Sequence, residues 1–169
     1  MIRWQITLAS VAVLALVGAP AAAADDFFVG HIKGQTKNVV MIDRGPKVIE
    51  QAVFSIDEKC TLDGKKTKPS GSTSELKNAK VRKNKFKINR VNEGPSTGLN
   101  PPEYGNTLHL RGQFMKDSAE AKIRTKDFDR HHGHLKCESG KQTAQLDKVS
   151  RASYERTLED KFPFFDPKP

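Results

Sequence analysis

Apolar and polar residues alternate with a period of two along most of the chain beyond residue 26, and helical periodicity is scarce. Phe27-Phe28-Val29-Gly30-His31-Ile32 predicts a first short strand, broken by Gly34. Asn38–Asp43 carries Val39, Val40, Met41 and Ile42, an apolar run suited to a buried strand, and Arg44-Gly45-Pro46 signals a turn. Lys47–Cys60 then places Ala52, Phe54, Ile56 and Cys60 on one face and Gln51, Ser55, Asp57 and Lys59 on the other. Alternation returns at Phe86 and Ile88, at Leu108, Leu110, Gly112 and Phe114, and at Ala119, Ala121 and Ile123. It returns once more at Leu135 and Cys137, and at Ala144 and Leu146. Residues 61–75 and 92–106, rich in Gly, Pro and Ser, read as loops.

Seven or eight short strands divided by Gly- and Pro-bearing loops predict an all-β fold, specifically an antiparallel β-sandwich. A wide barrel fits less well, because large apolar residues are few. Only Ser150–Lys161 has a helical pattern, with Tyr154 and Leu158 at i, i+4 spacing. The chain therefore ends in a short helix or irregular tail, whose Phe162-Pro163-Phe164-Phe165 is expected to fold back onto the domain.

The first residues break this pattern. Arg3 supplies a positive charge, Ile6–Val17 is mostly apolar, and Ala21–Ala24 offers small residues before Asp25-Asp26. That is the layout of a cleavable secretory leader over residues 1–24, too short in its apolar part to be a membrane span. The expected organisation is a leader at 1–24, a β-domain at 25–150 and a tail at 151–169. The product would be secreted or periplasmic. Residues 1–24 hold 18 apolar side chains and the only tryptophan, Trp4. What remains is lean in apolar residues and basic, with 28 Lys and Arg against 20 Asp and Glu. It suffices for one compact domain but not for two good cores.

Export also decides how the two cysteines are read. Cys60 and Cys137 are an even count in an oxidising compartment, with no CxxC, so a disulfide is expected. Closing that loop stabilises by about 4 kcal/mol on the chain-entropy model, a large share of what holds such a domain.

A resemblance accompanies these features. Gly34-Gln35-Thr36, Phe54…Cys60, Phe86-Lys87-Ile88, Leu110-Arg111-Gly112-Gln113-Phe114 and Cys137-Glu138-Ser139-Gly140-Lys141 follow one another in order. The succession resembles small secreted bacterial β-sandwich proteins of uncharacterised function, over about residues 27–149. The aromatic usual after the last turn of that pattern is replaced here by Thr143-Ala144-Gln145. The resemblance implies a sandwich and bacterial export, and it brings no active site. The lack of any Asn-x-Ser/Thr acceptor leans the same way.

Two constellations carry chemistry. Asp127-Phe128-Asp129-Arg130-His131-His132-Gly133-His134 concentrates three of the five histidines. If Leu135 and Cys137 face inward, His132 and His134 face outward, as does His109 between Leu108 and Leu110. Were those strands neighbours, His109, His132 and His134 would form a surface site for Zn²⁺ or Cu²⁺. The competing interpretation is a solvated hairpin tip, and a pH-responsive patch is a third.

The other constellation is the positive charge of residues 61–90: Lys65, Lys66 and Lys68, then Lys80, Arg82, Lys83 and Lys85. It suits an anionic polymer or cell-surface component, contacted electrostatically, or else serves only as a solubilising face. No aromatic platform accompanies it, and export removes cytoplasmic nucleic acid as a partner.

Catalytic signatures are weak. Gly94-Pro95-Ser96-Thr97-Gly98 matches a nucleophile-elbow string, but Pro101-Pro102 downstream does not open the helix that the motif needs. Ser74-Glu75-Leu76-Lys77 matches S-x-x-K without its companion motifs. The expectation is a non-catalytic secreted binding module with a basic surface. A metal-binding protein is the alternative, and an unrecognised hydrolase the second alternative.

Overall fold

The computed structural model describes residues 25–93, 104–130 and 134–165. The leader, the Gly94–Gly98 string, His131 and His132 lie outside these residues. Ten strands are formed: β1 (Asp26–Ile32), β2 (Gln35–Arg44), β3 (Val48–Leu62), β4 (Lys65–Lys66) and β5 (Ser70–Arg82), then β6 (Lys85–Glu93), β7 (Tyr104–Phe114), β8 (Ser118–Asp129), β9 (Leu135–Glu138) and β10 (Gln142–Val149). One helix, α1 (Arg151–Lys161), follows. The fold is all-β and antiparallel, with one disulfide, Cys60–Cys137. No described helix is long and apolar enough to cross a membrane.

Hydrogen bonding goes further than the sandwich expectation. Strands β1, β2, β3, β5, β6, β7 and β8 pair in succession, and β10 pairs with both β8 and β1. The sheet closes on itself as a circuit of eight strands. Closure needs few large residues because small ones sit where strands approach. A Cβ on Gly30 would lie 1.9 Å from the Gln145 carbonyl oxygen. Gly112 leaves room for Phe86, whose ring would be 2.4 Å from such an atom. Phe86 and Phe28 each stack against Phe114, with centroids 5.0 and 5.1 Å away, and the Arg44 guanidinium covers the Phe114 ring at 4.5 Å. That stack closes one end of the barrel.

The other end is closed differently. β8 pairs with β10 through Ile123, then with β9 from Lys126 onward, while β9 pairs with β3 at Lys59–Thr61. The four-residue β9 thus spans alone from β8 to β3, where β10, β1 and β2 intervene farther up. The disulfide joins Cys60 and Cys137 at directly opposite positions of this clasp.

Residues 61–75 are not the loop that their composition predicts. β3 continues to Leu62, Asp63-Gly64 form a tight turn with φ of 49° and 79°, and β5 begins at Ser70. β5 shares only two register pairs with β6, Val81–Phe86 and Arg82–Lys85, on either side of a turn at Lys83-Asn84 with φ of 49° and 61°. Both turns have the positive φ pair of a type I′ hairpin. Beyond the second, β5 and β6 diverge into a seam, which the Arg90 side chain crosses to donate to the Glu75 carbonyl at 3.2 Å.

α1 explains the apolar run of β2. Val40 and Ile42 point into the barrel, while Val39 and Met41 point outward and are covered by Tyr154, Leu158 and Phe162. Ser150 caps the helix by accepting from the Ser153 amide. Of the terminal aromatics, Phe162 is buried, Phe165 is half-buried and Phe164 is 94% exposed.

Candidate anion-binding face

Three adjacent strands bring the positive charge together. In β6, Phe86 is buried and Ile88 half-buried against the core, so Lys85, Lys87 and Asn89 face out. In β7, Leu108 and Leu110 set His109, Arg111 and Gln113 outward, and in β8, Ala121 and Ile123 do the same for Glu120, Lys122 and Arg124. The register aligns these side chains in rows. Lys87 lies opposite Arg111, and Arg111 opposite Lys122. Above and below run Lys85–Gln113–Glu120 and Asn89–His109–Arg124.

Three cations thus stand side by side at strand spacing of about 4.8 Å, an arrangement that repels. Little offsets it locally. The Lys122 ammonium lies 3.0 Å from a Glu120 carboxylate oxygen, and Arg124 reaches Glu138 at 3.7 Å. Glu138 also holds Lys126 at 3.0 Å, and that contact keeps its carboxyl below the ordinary range. Among the described residues, Lys87 and Arg111 have no carboxylate within ion-pair distance. Two shallow hollows cover the face. One, of about 850 Å³, takes in Lys80, Arg82, Lys85 and Glu120; the other, of about 560 Å³, takes in His109, Arg124 and Lys141. Lys87, Arg111 and Lys122 belong to both, so the two are one continuous surface.

The basic residues singled out in the sequence divide into two groups. Lys80, Arg82 and Lys85 join the face, with Lys83 in the adjoining turn. Lys65, Lys66 and Lys68 stand at the far end of β3. Lys80 pairs with Val48 and Lys66 with Thr61, so thirteen positions of β3, roughly 40 Å, separate them. Lys87 of the same basic stretch joins Lys80, Arg82 and Lys85, and Arg111, Lys122, Arg124 and Lys141, which do not stand out in the sequence, complete the face. Their signal is in the alternation, but only the pairing register shows that they converge.

β7 and β9 are not the neighbours that a site of His109 and His134 requires. β8 separates β7 from β9, His109 lies opposite Arg124, and Leu135, next to His134, lies opposite Asp129. Five positions of β8, roughly 17 Å, part them. His109 Nδ1 is 2.9 Å from Asn89 Oδ1. His132 lies outside the described residues, and among those described no three His, Cys, Asp or Glu side chains gather as metal ligands.

A second polar cluster lies inside the barrel beside the disulfide. Glu58 is 2% exposed, Thr125 donates its hydroxyl to the Glu58 carboxylate, and the Thr125 amide donates to Ser139 Oγ at 2.9 Å. Asp127 hydrogen-bonds Glu58, and burial, followed by the nearby Glu58 charge, pushes its carboxyl up to about 6.

No family model, curated protein or solved structure matches the chain. Its class rests on its own geometry: a disulfide-clasped antiparallel barrel with a cationic outer face.

Proposed function

We propose that the chain is an exported, non-catalytic binding module that captures an anionic, cell-surface or polymeric ligand on the outer face of β6, β7 and β8. One observation carries the reading: Lys87, Arg111 and Lys122 occupy directly opposite positions on three neighbouring strands. Like charges so placed cost stability, and among the described residues two of the three have no carboxylate within ion-pair distance to relieve them. A bound anion offsets that repulsion. The leader-like residues 1–24 and the disulfide fit an extracytoplasmic setting.

The test is binding of the cleaved protein to an immobilised polyanion across a salt series. Affinity should fall at least about tenfold between about 50 and 200 mM salt, as counterion release requires. Replacing Lys87, Arg111 and Lys122 together by alanine should weaken binding about tenfold or more and leave the melting temperature unchanged or higher. The corresponding change at Lys65, Lys66 and Lys68 should matter less. Retention that ignores salt, or survives the first triple variant, would sink the proposal.

A further inference from the structure

Beneath the charge lies a second pattern, in the neutral side chains. The cations spread over five adjacent strands: Lys80 and Arg82 on β5, Lys85 and Lys87 on β6, Arg111 on β7, Lys122 and Arg124 on β8, and Lys141 at the head of β10. That is roughly 19 Å across. A single phosphate or sulfate spans a fraction of it. No backbone pocket is built for one either, because the strand ladders occupy both edges of β7 and of β8. The ligand that matches this surface is long.

Amide and hydroxyl groups are interleaved with the cations. Gln113 stands between Lys85 and Glu120, Asn89 follows Lys87 on the outer side of β6, and Thr143 lies opposite Lys122. Such groups both donate to and accept from hydroxyls. Within the two hollows no aromatic ring faces outward for a nucleobase to stack on: Phe86 points into the core, and Phe128, outward on β8, lies beyond them with the Arg130 guanidinium 5.5 Å from its ring centre. Its exposed apolar side chains are Met115 at the edge and Val91 farther along β6, too few to enter a bilayer.

We infer that the β5–β6–β7–β8–β10 face binds a linear acidic polysaccharide, its sulfate or carboxylate groups on the Lys and Arg side chains and its hydroxyls on Asn89, Gln113 and Thr143. The inference rests on the anion-binding reading above and narrows it to one class of polymer. The chain crosses the strands, so affinity grows with ligand length until five strands are covered.

The experiment compares dextran sulfate and polygalacturonate with inorganic polyphosphate, single-stranded DNA and phosphatidylglycerol vesicles, at matched anion concentration. One or both polysaccharides should bind about tenfold or more tighter than polyphosphate, and the stronger of the two tells sulfate from carboxylate. A disaccharide of the same chemistry should bind far more weakly than the polymer. The double variant N89A/Q113A should lower polysaccharide affinity several-fold and leave polyphosphate affinity unchanged, which also shows that the variant is folded. Equal binding of polyphosphate, preference for DNA or vesicles, a disaccharide as good as the polymer, or indifference to N89A/Q113A would each overturn the polysaccharide while leaving anion binding standing. Failure of every polyanion to bind would remove the underlying reading itself.

Discussion

Glu58 occupies an inward position of β3, between Ile56 and Cys60, where the alternation otherwise delivers apolar side chains. Thr125 and Asp127 are inward positions of β8, and with Ser139 they turn this end of the barrel polar. Two carboxyl groups share the space, and the hydrogen bond between them requires one to keep its proton. Asp127, at about 6, is that one. Its acidity in the folded state is weaker than the roughly 3.9 of an unfolded chain, so folding takes up a proton between about pH 4 and 6. Stability from this pair is therefore complete in acid and declines as pH rises through about 6. Because Asp127 is half-exposed, the loss amounts to about 1–2 kcal/mol. Asp127→Asn keeps a donor toward Glu58 without the second charge. Thermal melts should show it more stable than the parent at pH 8 by a few degrees, with the gap gone at pH 4. A variant equally destabilised at both pH values would show that the pair does not titrate in this way.

At the scale of elements, what the sequence shows depends on how each strand is buried. β7 alternates cleanly, and so does β3 beyond Phe54, because one face meets the core and the other mostly meets water, and the period-two pattern is enough to find both; residues 51–54 of β3 are buried on both faces, with Val53 under α1. β2 reads as a solid apolar run because α1 covers its outer face. β5 leaves no such trace. Of its thirteen residues only Leu76 is buried, with Ala79 and Val81 half-buried, since it borders the seam and has water on much of both faces. No apolar rhythm is left to reveal it. The positive charge of residues 80–85 is likewise plain in the sequence, whereas the alignment of Lys87 with Arg111 and Lys122 depends on hairpin register, which composition does not encode. Helix α1 has little intrinsic support beyond its cap, so its anchoring side chains should dominate its stability. Leu158, fully buried against Val39, Met41 and Val53, should cost about 2–4 kcal/mol when cut to alanine. Hydrogen exchange of the variant should show early loss of protection in α1 and the outer side of β2, while the anion-binding face keeps its affinity.

For the whole molecule, the two ends of the barrel are held by different means. One end carries Phe28, Phe86 and Phe114 under the Arg44 guanidinium, and its cohesion comes from aromatic packing. The other contains Glu58, Thr125, Asp127 and Ser139, which bring little hydrophobic gain, and it is shut by a strand of four residues. Loss of the covalent bond should therefore be felt unevenly. With Cys60 and Cys137 both replaced by serine, denaturant unfolding should show a loss of about 4 kcal/mol, since a long loop is released in the unfolded chain. Amides of Leu135–Glu138 and Lys59–Thr61 should exchange first, because only short ladders hold them, while those of β6 and β7 stay protected. The cationic rows lie on these protected strands and not on the clasp, so the serine variant, where still folded, should bind polyanions as the parent does. Uniform loss of protection along the barrel would mean instead that the clasp and the aromatic end unfold as one unit, and that the disulfide supports the binding face directly.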